Sequence, residues 1–497
     1  MKCRMLTLLL LLLTVLPLAC ASDDDDDHDS DSEPTPDDDD DDNDDDNDND
    51  DNDTGDDDDD DNDDNDDNDN DNDNDDDNDD ASPSYFPLYD EAGRELILHG
   101  ANFMAVEAAG LPIDYERMRD DWGFNVVRIL ITWSALEPEQ GVYNYDYLPT
   151  LVDPQIQYAA DAGVKVILDM HQYHWSSCCG GMGMPDWTCS DLGEVPFEWL
   201  LQSGPFWSNE AYLDAFVALW EYVAEYYAGD DRIIAYDLFN EPIAGLRTLP
   251  WTMDNQLLRP LYERLIAWIR AVDPEHYLMI EPAMISVAGF PCVMDRIEAD
   301  KLIYAPHLYP GMIAEGGDYD YPRAWIEKHL GKRVAETARF RTPLLIGETG
   351  LKSSGAHAEQ YARDSMEILD QPMAHWTWWA YGYDDDSMGL CLLSGEPKEI
   401  FLRHLSRPYP RATAGHLGGY DFDVDTLTFT LNFTNDEKAA PETEIFVNAA
   451  YHYPDGFTVS STDPESGWSY AWDADAQLLT VTADPATAAH TITIAPQ

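Results

Sequence analysis

The sequence predicts an α/β protein, a (β/α)8 TIM barrel followed by a small C-terminal all-β sandwich domain. Three observations predict it. Eight short apolar runs, at residues 96–103, 126–131, 164–170, 233–239, 277–281, 302–306, 343–347 and 374–380, alternate with longer amphipathic stretches. Runs such as Val164-Lys165-Val166-Ile167-Leu168 are mostly apolar toward both faces, as parallel strands covered on both sides must be. Beyond Arg411 the apolar residues alternate at period two instead, which suits strands with one buried face.

The elements follow in chain order. Residues 1–22 read as an export signal: Lys2 and Arg4 are basic, and the apolar core at 6–16 is too short to span a bilayer. Ala19-Cys20-Ala21 fits ordinary signal cleavage, whereas Leu16-Pro17-Leu18-Ala19-Cys20 resembles a bacterial lipobox with Cys20 as the lipidated residue. Under either reading the protein is exported, secreted or anchored to the cell envelope as a lipoprotein. Residues 23–84 are expected to be a disordered Asp/Asn-rich linker. Within it, residues 23–80 hold 38 Asp and one Glu without a Lys or Arg, so they carry −39 of the chain's −74. With Lys2 and Arg4 counted, residues 81–497 carry −37. Neither part attracts a nucleic-acid backbone or an anionic lipid surface, so no nucleic-acid partner is expected. Fully extended, the tract spans roughly 190 Å, enough for a spacer between membrane and enzyme. It lacks the closing glutamate of an EF-hand loop.

Residues 85–409 are assigned to the barrel and 410–497 to the sandwich, with the boundary near Arg407-Pro408-Tyr409-Pro410. Helical spacing is clear at 211–227, through Tyr212, Phe216, Trp220 and Val223, and at 256–272. The sandwich strands read at 427–431, 443–447, 478–482 and 491–494. Trp468 and Trp472 are expected to pack in its core. Of the cysteines in the folded part, Cys178 or Cys179 could close a short loop to Cys189, and the odd count leaves a thiol unpaired. The Cys178-Cys179 pair lacks metal-ligand spacing, and neither a metal nor an organic cofactor is expected.

In such a barrel the reactive groups lie just beyond the C-terminal ends of the strands. The second strand carries Arg128. The third ends in Asp169-Met170-His171-Gln172, the fourth in Phe239-Asn240-Glu241-Pro242, the sixth in His307-Leu308-Tyr309 and the seventh in Gly347-Glu348-Thr349. The eighth holds Trp376, Trp378 and Trp379. Two carboxylates at separate strand ends, Glu241 and Glu348, among aromatic residues, have the makings of a glycosidase pair: one a proton donor, the other an ionised nucleophile. Asn240 suits a hydrogen bond to the sugar 2-OH. Arg128 is expected to pair with Glu348 and keep it ionised. Asp169 and Asp237 read as structural hydrogen-bonding groups, and Glu281 as support for neighbouring site residues.

Asn240-Glu241-Pro242 and Glu348, taken with Arg128, the stretch 133–143 (WSALEPEQGVY), His171 and His307-Leu308-Tyr309, resemble the retaining hydrolases of glycoside hydrolase family 5 over residues 95–405. Residues 407–415 (RPYPRATAG), Glu444-Ile445-Phe446-Val447, Tyr453-Pro454-Asp455-Gly456 and Met184-Pro185-Asp186-Trp187 are similar to the endoglycoceramidase subgroup. The resemblance implies cleavage of the β-linkage between a glycan and ceramide, or of a related glycolipid bond, with the sandwich helping to form a lipid-facing surface. It implies Glu241 as general acid/base and Glu348 as nucleophile. His171, His307 and Tyr309 would orient sugar and carboxylates, and Tyr309 would bond Glu348. Trp379 would form the floor under the sugar; strand alternation puts it on one face with Thr377, and Trp376 and Trp378 on the other.

Two positions depart from that subgroup: Tyr173 stands where Asp is usual, and Val106 where Lys is usual. Both leave the mechanism intact and open the sugar preference. The expected partners are a glycolipid or oligosaccharide substrate and, through the substrate, a lipid surface; the protein is expected to be a monomer. The alternatives are a family 5 β-glucan or mannan hydrolase, a steryl β-glucosidase, a glycan-binding protein on an inactive barrel, and a Ca²⁺-dependent adhesion protein built on the Asp tract.

Overall fold

A computed structural model describes residues 85–103, 110–189, 201–245, 249–309 and 317–497. The expected export signal with Cys20, the linker at 23–84 and the departure at Val106 lie outside the described residues.

Eight parallel strands make the barrel: β3 (His99–Phe103), β4 (Val126–Ile131), β5 (Lys165–Met170), β6 (Ile233–Asp237), β7 (Tyr277–Ile280), β8 (Leu302–Tyr304), β9 (Leu345–Thr349) and β10 (His375–Tyr381). Neighbours pair in chain order from β3 to β8, and β10 lies between β9 and β3. A parallel bridge from Tyr304 to Leu344 closes the ring. It is reinforced where Tyr304 N–H donates to Pro343 O at 3.0 Å and Leu308 N–H to Glu348 O at 2.9 Å. Each run expected from the sequence overlaps one of these strands, though β9 and β10 run past theirs to Thr349 and Tyr381.

Strand alternation sorts the side chains into layers. Val126, Ile167, Ala235, Met279, Ile303 and Leu345 fill an apolar floor inside the barrel, with Leu88 and Leu98 packed in the same cluster. Val127, Ile129, Val166 and Leu168 belong to the larger core shared with the helices. Two residues beyond the floor, on the same face, stand Arg128, Asp169, Asp237 and Glu281, all buried. The apolar floor thus carries a charged layer, and the site is built on it.

The helix Glu210–Tyr227 begins where Asn209 Oδ1 accepts the Ala211 N–H at 3.1 Å. It buries Phe216, Trp220 and Val223 of the stripe that spacing predicts, while Tyr212 is half-buried. The helix expected over 256–272 spans Arg259–Val272, because the turn before it, Thr252–Leu258, is wound more widely.

Beyond the barrel two sheets face each other. One contains β1 (Leu88–Tyr89), β2 (Glu95–Leu96), β11 (Tyr409–Thr413), β14 (Glu442–Phe446), β17 (Leu478–Thr482) and β16 (Ser469–Asp473). The other contains β12 (Gly415–Asp423), β13 (Thr428–Asn435), β18 (Ala489–Pro496) and β15 (Phe457–Ser461). Phe429, Leu431, Ile445, Leu479, Val481, Ile492 and Ile494 form the core between them. Trp468 and Trp472 are only partly buried against that core.

The division between the two parts differs from the expected one. The apolar run 96–103 is shared: Leu96 pairs with Ala412 in the sandwich sheet, Ile97 enters the sandwich core and Leu98 the barrel floor. Tyr409, expected to close the barrel, opens β11. Local composition cannot apportion an apolar run whose partners lie some three hundred residues away; only the pairing does.

The two parts meet at segments that enter the barrel strands. Tyr409 Oη donates to Gly123 O at 2.7 Å, Asn448 Nδ2 to Asp121 O at 3.0 Å and Gln477 Nε2 to Asp120 O at 2.7 Å. Buried Arg407 and Tyr420 both bond Asp370, at 2.5 and 3.1 Å. These contacts lie at the N-terminal ends of the strands, opposite the charged layer. They do not bear out the expectation that the sandwich lines a lipid-facing surface beside the site.

Candidate active site

Arg128 organises the site. Its side chain is fully buried, and every N–H has a partner. Nε donates to Asp237 Oδ2 at 2.9 Å; Nη1 to Asn102 Oδ1 at 3.1 Å and Glu348 Oε1 at 3.0 Å; Nη2 to Asn240 Oδ1 at 2.8 Å and Glu281 Oε1 at 3.1 Å. Asp169 Oδ1 lies a further 2.9 Å from Nη2. Burial works against the charge, but Asp169, Asp237, Glu348 and Glu281 more than offset it and keep the guanidinium protonated. Four carboxylates share this one cation, and burial, with Glu281 beside it, pushes the Asp237 carboxyl well above the usual range.

Glu348, the penultimate residue of β9, also accepts from Tyr309 Oη at 3.1 Å. Burial pushes its carboxyl above the ordinary range, against the pull of His307 and Arg128. Its strand is steadied from beneath: Thr377 Oγ1 and Asn102 Nδ2 both donate to Gly347 O, at 2.5 and 3.1 Å.

Glu241, four residues past β6, has φ of 41°, a left-handed conformation that is uncommon outside glycine. Its neighbours hold it there. Glu281 Oε2 accepts its N–H at 2.8 Å, and Gln172 Nε2 donates to its carbonyl at 2.8 Å. Its carboxylate faces His307, with Oε1 and Nδ1 2.8 Å apart. Burial alone would raise this carboxyl, but His307, His171 and Arg128 together outweigh burial and draw it below the ordinary range. The side chain keeps 18% of its exposure against 7% for Glu348, so it is the more open of the two acids.

Each remaining expected residue takes a place around this pair. Asn240 Nδ2 donates to Gln172 O at 2.9 Å, leaving its second N–H for another acceptor. His171 Nδ1 contacts Asp169 Oδ2 at 2.8 Å, and its ring lies parallel to Trp379 at 5.6 Å. Trp379 is half-buried, while Trp376 and Trp378 are fully buried; Trp376 stacks on His99 and Trp378 packs on Phe401. Of the three, Trp379 is thus the one standing beside the site residues. Tyr173, at a departure from the subgroup, is 47% exposed and stacks on His174 at 4.0 Å. The loop that carries it pairs Tyr173 with Met182 and is closed by a Cys178–Cys189 disulfide. Cys179, Cys292 and Cys391 remain thiols.

Sequence reading left out two supports: Gln172 ties two strand ends together, and Asn102 braces Gly347 and Arg128. Glu281, read as support for its neighbours, reaches Arg128, the Glu241 backbone and His307. Gln172 and Asn102 lie in or just after legible strands, but no single-sequence pattern says which polar neighbour of a site will face inward.

Glu241, His307 and Glu348 each present a ligand atom, all within 4.8 Å of one another. These atoms already serve each other, Arg128 and Tyr309, and a cation placed there would have to share the space with a guanidinium. Cys178, Asp186 and Cys189 also lie close together, but the cysteines are joined and Asp186 bonds Ser177 and the Cys178 N–H.

The family model "Cellulase (glycosyl hydrolase family 5)" matches residues 90–385, and the model for the glycoside hydrolase family 5 C-terminal domain matches 407–494. The chain belongs to glycoside hydrolase family 5. Among curated relatives of this family 5 enzyme, "Endoglycoceramidase I" of Rhodococcus hoagii (strain 103S) is 28% identical over 443 residues, covering 80% of this chain and 84% of that one. "Endoglycoceramidase" of Cyanea nozakii is 26% identical over 446 residues, covering 76% and 86%. Among solved structures, endo-glycoceramidase II from Rhodococcus sp. in its ganglioside GM3 complex superposes with a TM-score of 0.74 at 27% identity, over 84% of this chain and all of that one. The same protein has been solved as a lactosyl-enzyme intermediate, with a TM-score of 0.72 at 26% identity over the same share.

Proposed function

We propose that this family 5 hydrolase is a retaining β-glycosidase of glycolipids that cleaves the bond between glycan and lipid in the manner of endoglycoceramidases. The observation that carries this reading is the carboxylate pair, with an oxygen of Glu241 within 4.8 Å of one of Glu348. Retaining enzymes hold their two carboxyl groups about 5–5.5 Å apart, and inverting enzymes need roughly 6.5–9.5 Å to fit a water between.

Glu348 is the nucleophile. Arg128 and Tyr309 hold its two oxygens and keep a charge on a buried group. It attacks the anomeric carbon while Glu241 passes a proton to the leaving oxygen, giving a covalent glycosyl-enzyme. In the second step Glu241 takes a proton from water as the water attacks, and the sugar leaves with its configuration retained. Asn240 offers its free N–H to the 2-OH, and Trp379, steadied by His171, offers a ring face to the sugar.

Lipid contact falls to the loops beyond the strand ends rather than to the sandwich. Leu111, Ile113, Leu249, Trp251 and Leu393, in the connections that follow β3, β6 and β10, are 49–69% exposed. Contact of this kind needs apolar side chains, since the acidic surface repels anionic headgroups. We further propose export through the N-terminal segment, with the Asp tract as spacer, and action as a monomer.

A substrate panel tests the reading: glucosyl-, galactosyl- and lactosylceramide, a ganglioside, a steryl glucoside and cellulose. Release of an intact glycan from at least one sphingolipid is expected. Hydrolysis of cellulose with none of the glycolipids touched would replace it with a polysaccharide hydrolase.

A further inference from the structure

We propose that Glu281 is a positioning residue for the proton-donating half of the site, fixing Glu241 through its backbone and His307 through its ring. The proposal rests on the retaining reading above and deepens it.

Three contacts of one carboxylate carry it. Oε2 accepts the Glu241 N–H at 2.8 Å, at the residue whose φ of 41° needs outside support. Oε1 lies 3.3 Å from His307 Nε2, and His307 Nδ1 in turn faces Glu241 Oε1 at 2.8 Å. The same Oε1 accepts from Arg128 Nη2 at 3.1 Å. Glu281 is itself 2% exposed, and its main chain is held from both sides by the Tyr262 hydroxyl, which accepts its N–H at 3.1 Å and donates to its carbonyl at 2.9 Å. The carboxylate therefore has no freedom to swing into the cleft and touch substrate; it acts through its neighbours.

The result is a chain of Glu281, His307 and Glu241, acid to imidazole to acid. The approach of Glu281 to Nε2 is an ion contact rather than an aligned hydrogen bond, since Nε2 has no partner in line. A carboxylate behind one nitrogen raises the proton affinity of the other. Glu348 Oε2, 3.5 Å from Nδ1, acts in the same direction; Arg128 is shared among the carboxylates, and Asp237 in the layer behind has its own carboxyl pushed well above the usual range by burial. Tyr309 meets the ring edge-on at 6.5 Å as a neutral hydroxyl. Burial would drive the ring neutral, yet Glu281, Glu348 and Glu241 hold its pKa well above the ordinary value of 6.5. The transferable proton therefore rests on the His307 side of the pair in the free enzyme. As the bond from anomeric carbon to leaving oxygen breaks, its electrons go to that oxygen. Glu241 takes the proton from Nδ1 and passes it to that oxygen, leaving His307 neutral, and Glu348 forms the new bond to carbon. In the second step the proton lost by water returns to Glu241 and His307, so the cycle closes without net change.

Glu281→Gln tests this, because it keeps an acceptor for the Glu241 N–H and removes the charge behind His307. The probes are phenyl and 2,4-dinitrophenyl β-lactoside, since the second leaves without needing a proton. We expect kcat/KM for the phenyl lactoside to fall about 100-fold, that for the dinitrophenyl lactoside to fall less than about 3-fold, and the alkaline limb of the pH profile to move down by about one unit. Equal losses on both probes with an unmoved alkaline limb would overturn the proposal and leave Glu281 a packing residue. Should Glu281→Gln fail to fold, Tyr262→Phe loosens the same carboxylate without altering charge; the same discrimination between leaving groups, at about 5-fold, is then expected, and its absence overturns the proposal. Labelling of Glu348 in the wild type by 2,4-dinitrophenyl 2-deoxy-2-fluoro-β-lactoside separates the two levels. A labelled Glu348 keeps the retaining reading whatever the variants do, and an unlabelled one removes that reading itself.

Discussion

Arg128 spends all five of its N–H groups on residues of the site, so Glu348 is paired with a cation that has no competing solvent. Removing the charge of Glu348 removes the nucleophile and leaves the packing almost unchanged. Glu348→Gln should therefore melt within a few degrees of the wild type while turnover drops by about four orders of magnitude or more, measured on an aryl glycoside. The acid limb of the rate belongs to the same residue. Its carboxyl is raised by burial above the ordinary 4.5, so kcat/KM should fall as pH drops through a value higher than 4.5. An acid limb below that value would show that Arg128 and His307 outweigh burial.

At the level of elements, barrel and sandwich fit closely at Gly123. It has φ of +72°, and a β-carbon there would meet the Phe446 ring at 2.3 Å. Gly123→Ala combines a left-handed backbone with overpacking, and should destabilise by about 2–4 kcal/mol in chemical denaturation. A change under about 0.5 kcal/mol would mean that Phe446 can move aside. The loop after β5 is another element set by its own geometry. Gly183 and Gly181 lie where a β-carbon would come within 2.2 Å of the carbonyls of His171 and Tyr173, so the chain doubles back close beneath His171.

For the whole molecule, the sandwich is part of how the barrel begins. β2 pairs with β11, and Ile97 and Leu98, adjacent in sequence, serve the two different cores. A chain ending at Ser406 should therefore fail to accumulate as folded protein, whereas one starting at Ser82 should retain full hydrolysis, unaffected by chelator. Hydrolysis lost on removing the Asp tract would make that segment more than a spacer. Acid should loosen the fold as well. Burial holds His375 down to about 3 and His452 down to about 4, so neither is charged in the folded state near pH 6. The unfolded chain takes up both protons below about pH 6.5, and the folded chain does not until far lower. The melting temperature should then fall steadily as pH drops from about 6.5 to about 4; a flat profile would mean other groups compensate.

The eight strands, the inward residues of the site and the change to period-two sandwich strands were legible from residue order. Strand faces are set by near neighbours: an apolar run with Arg128 or Asp169 inside it points its charge into the barrel wherever that run lies. The strand ends bearing Glu241 and Glu348 were legible for the same reason. Tertiary structure alone decided what long-range pairing controls: that 95–96 belongs to the sandwich, that Tyr409 opens a strand, and that Cys178 rather than Cys179 meets Cys189. It also decided that Glu281 stands behind His307. A local pattern records which face a side chain takes, because that depends on the next two residues. It cannot record which distant group will meet it, because that depends on how the ring closes.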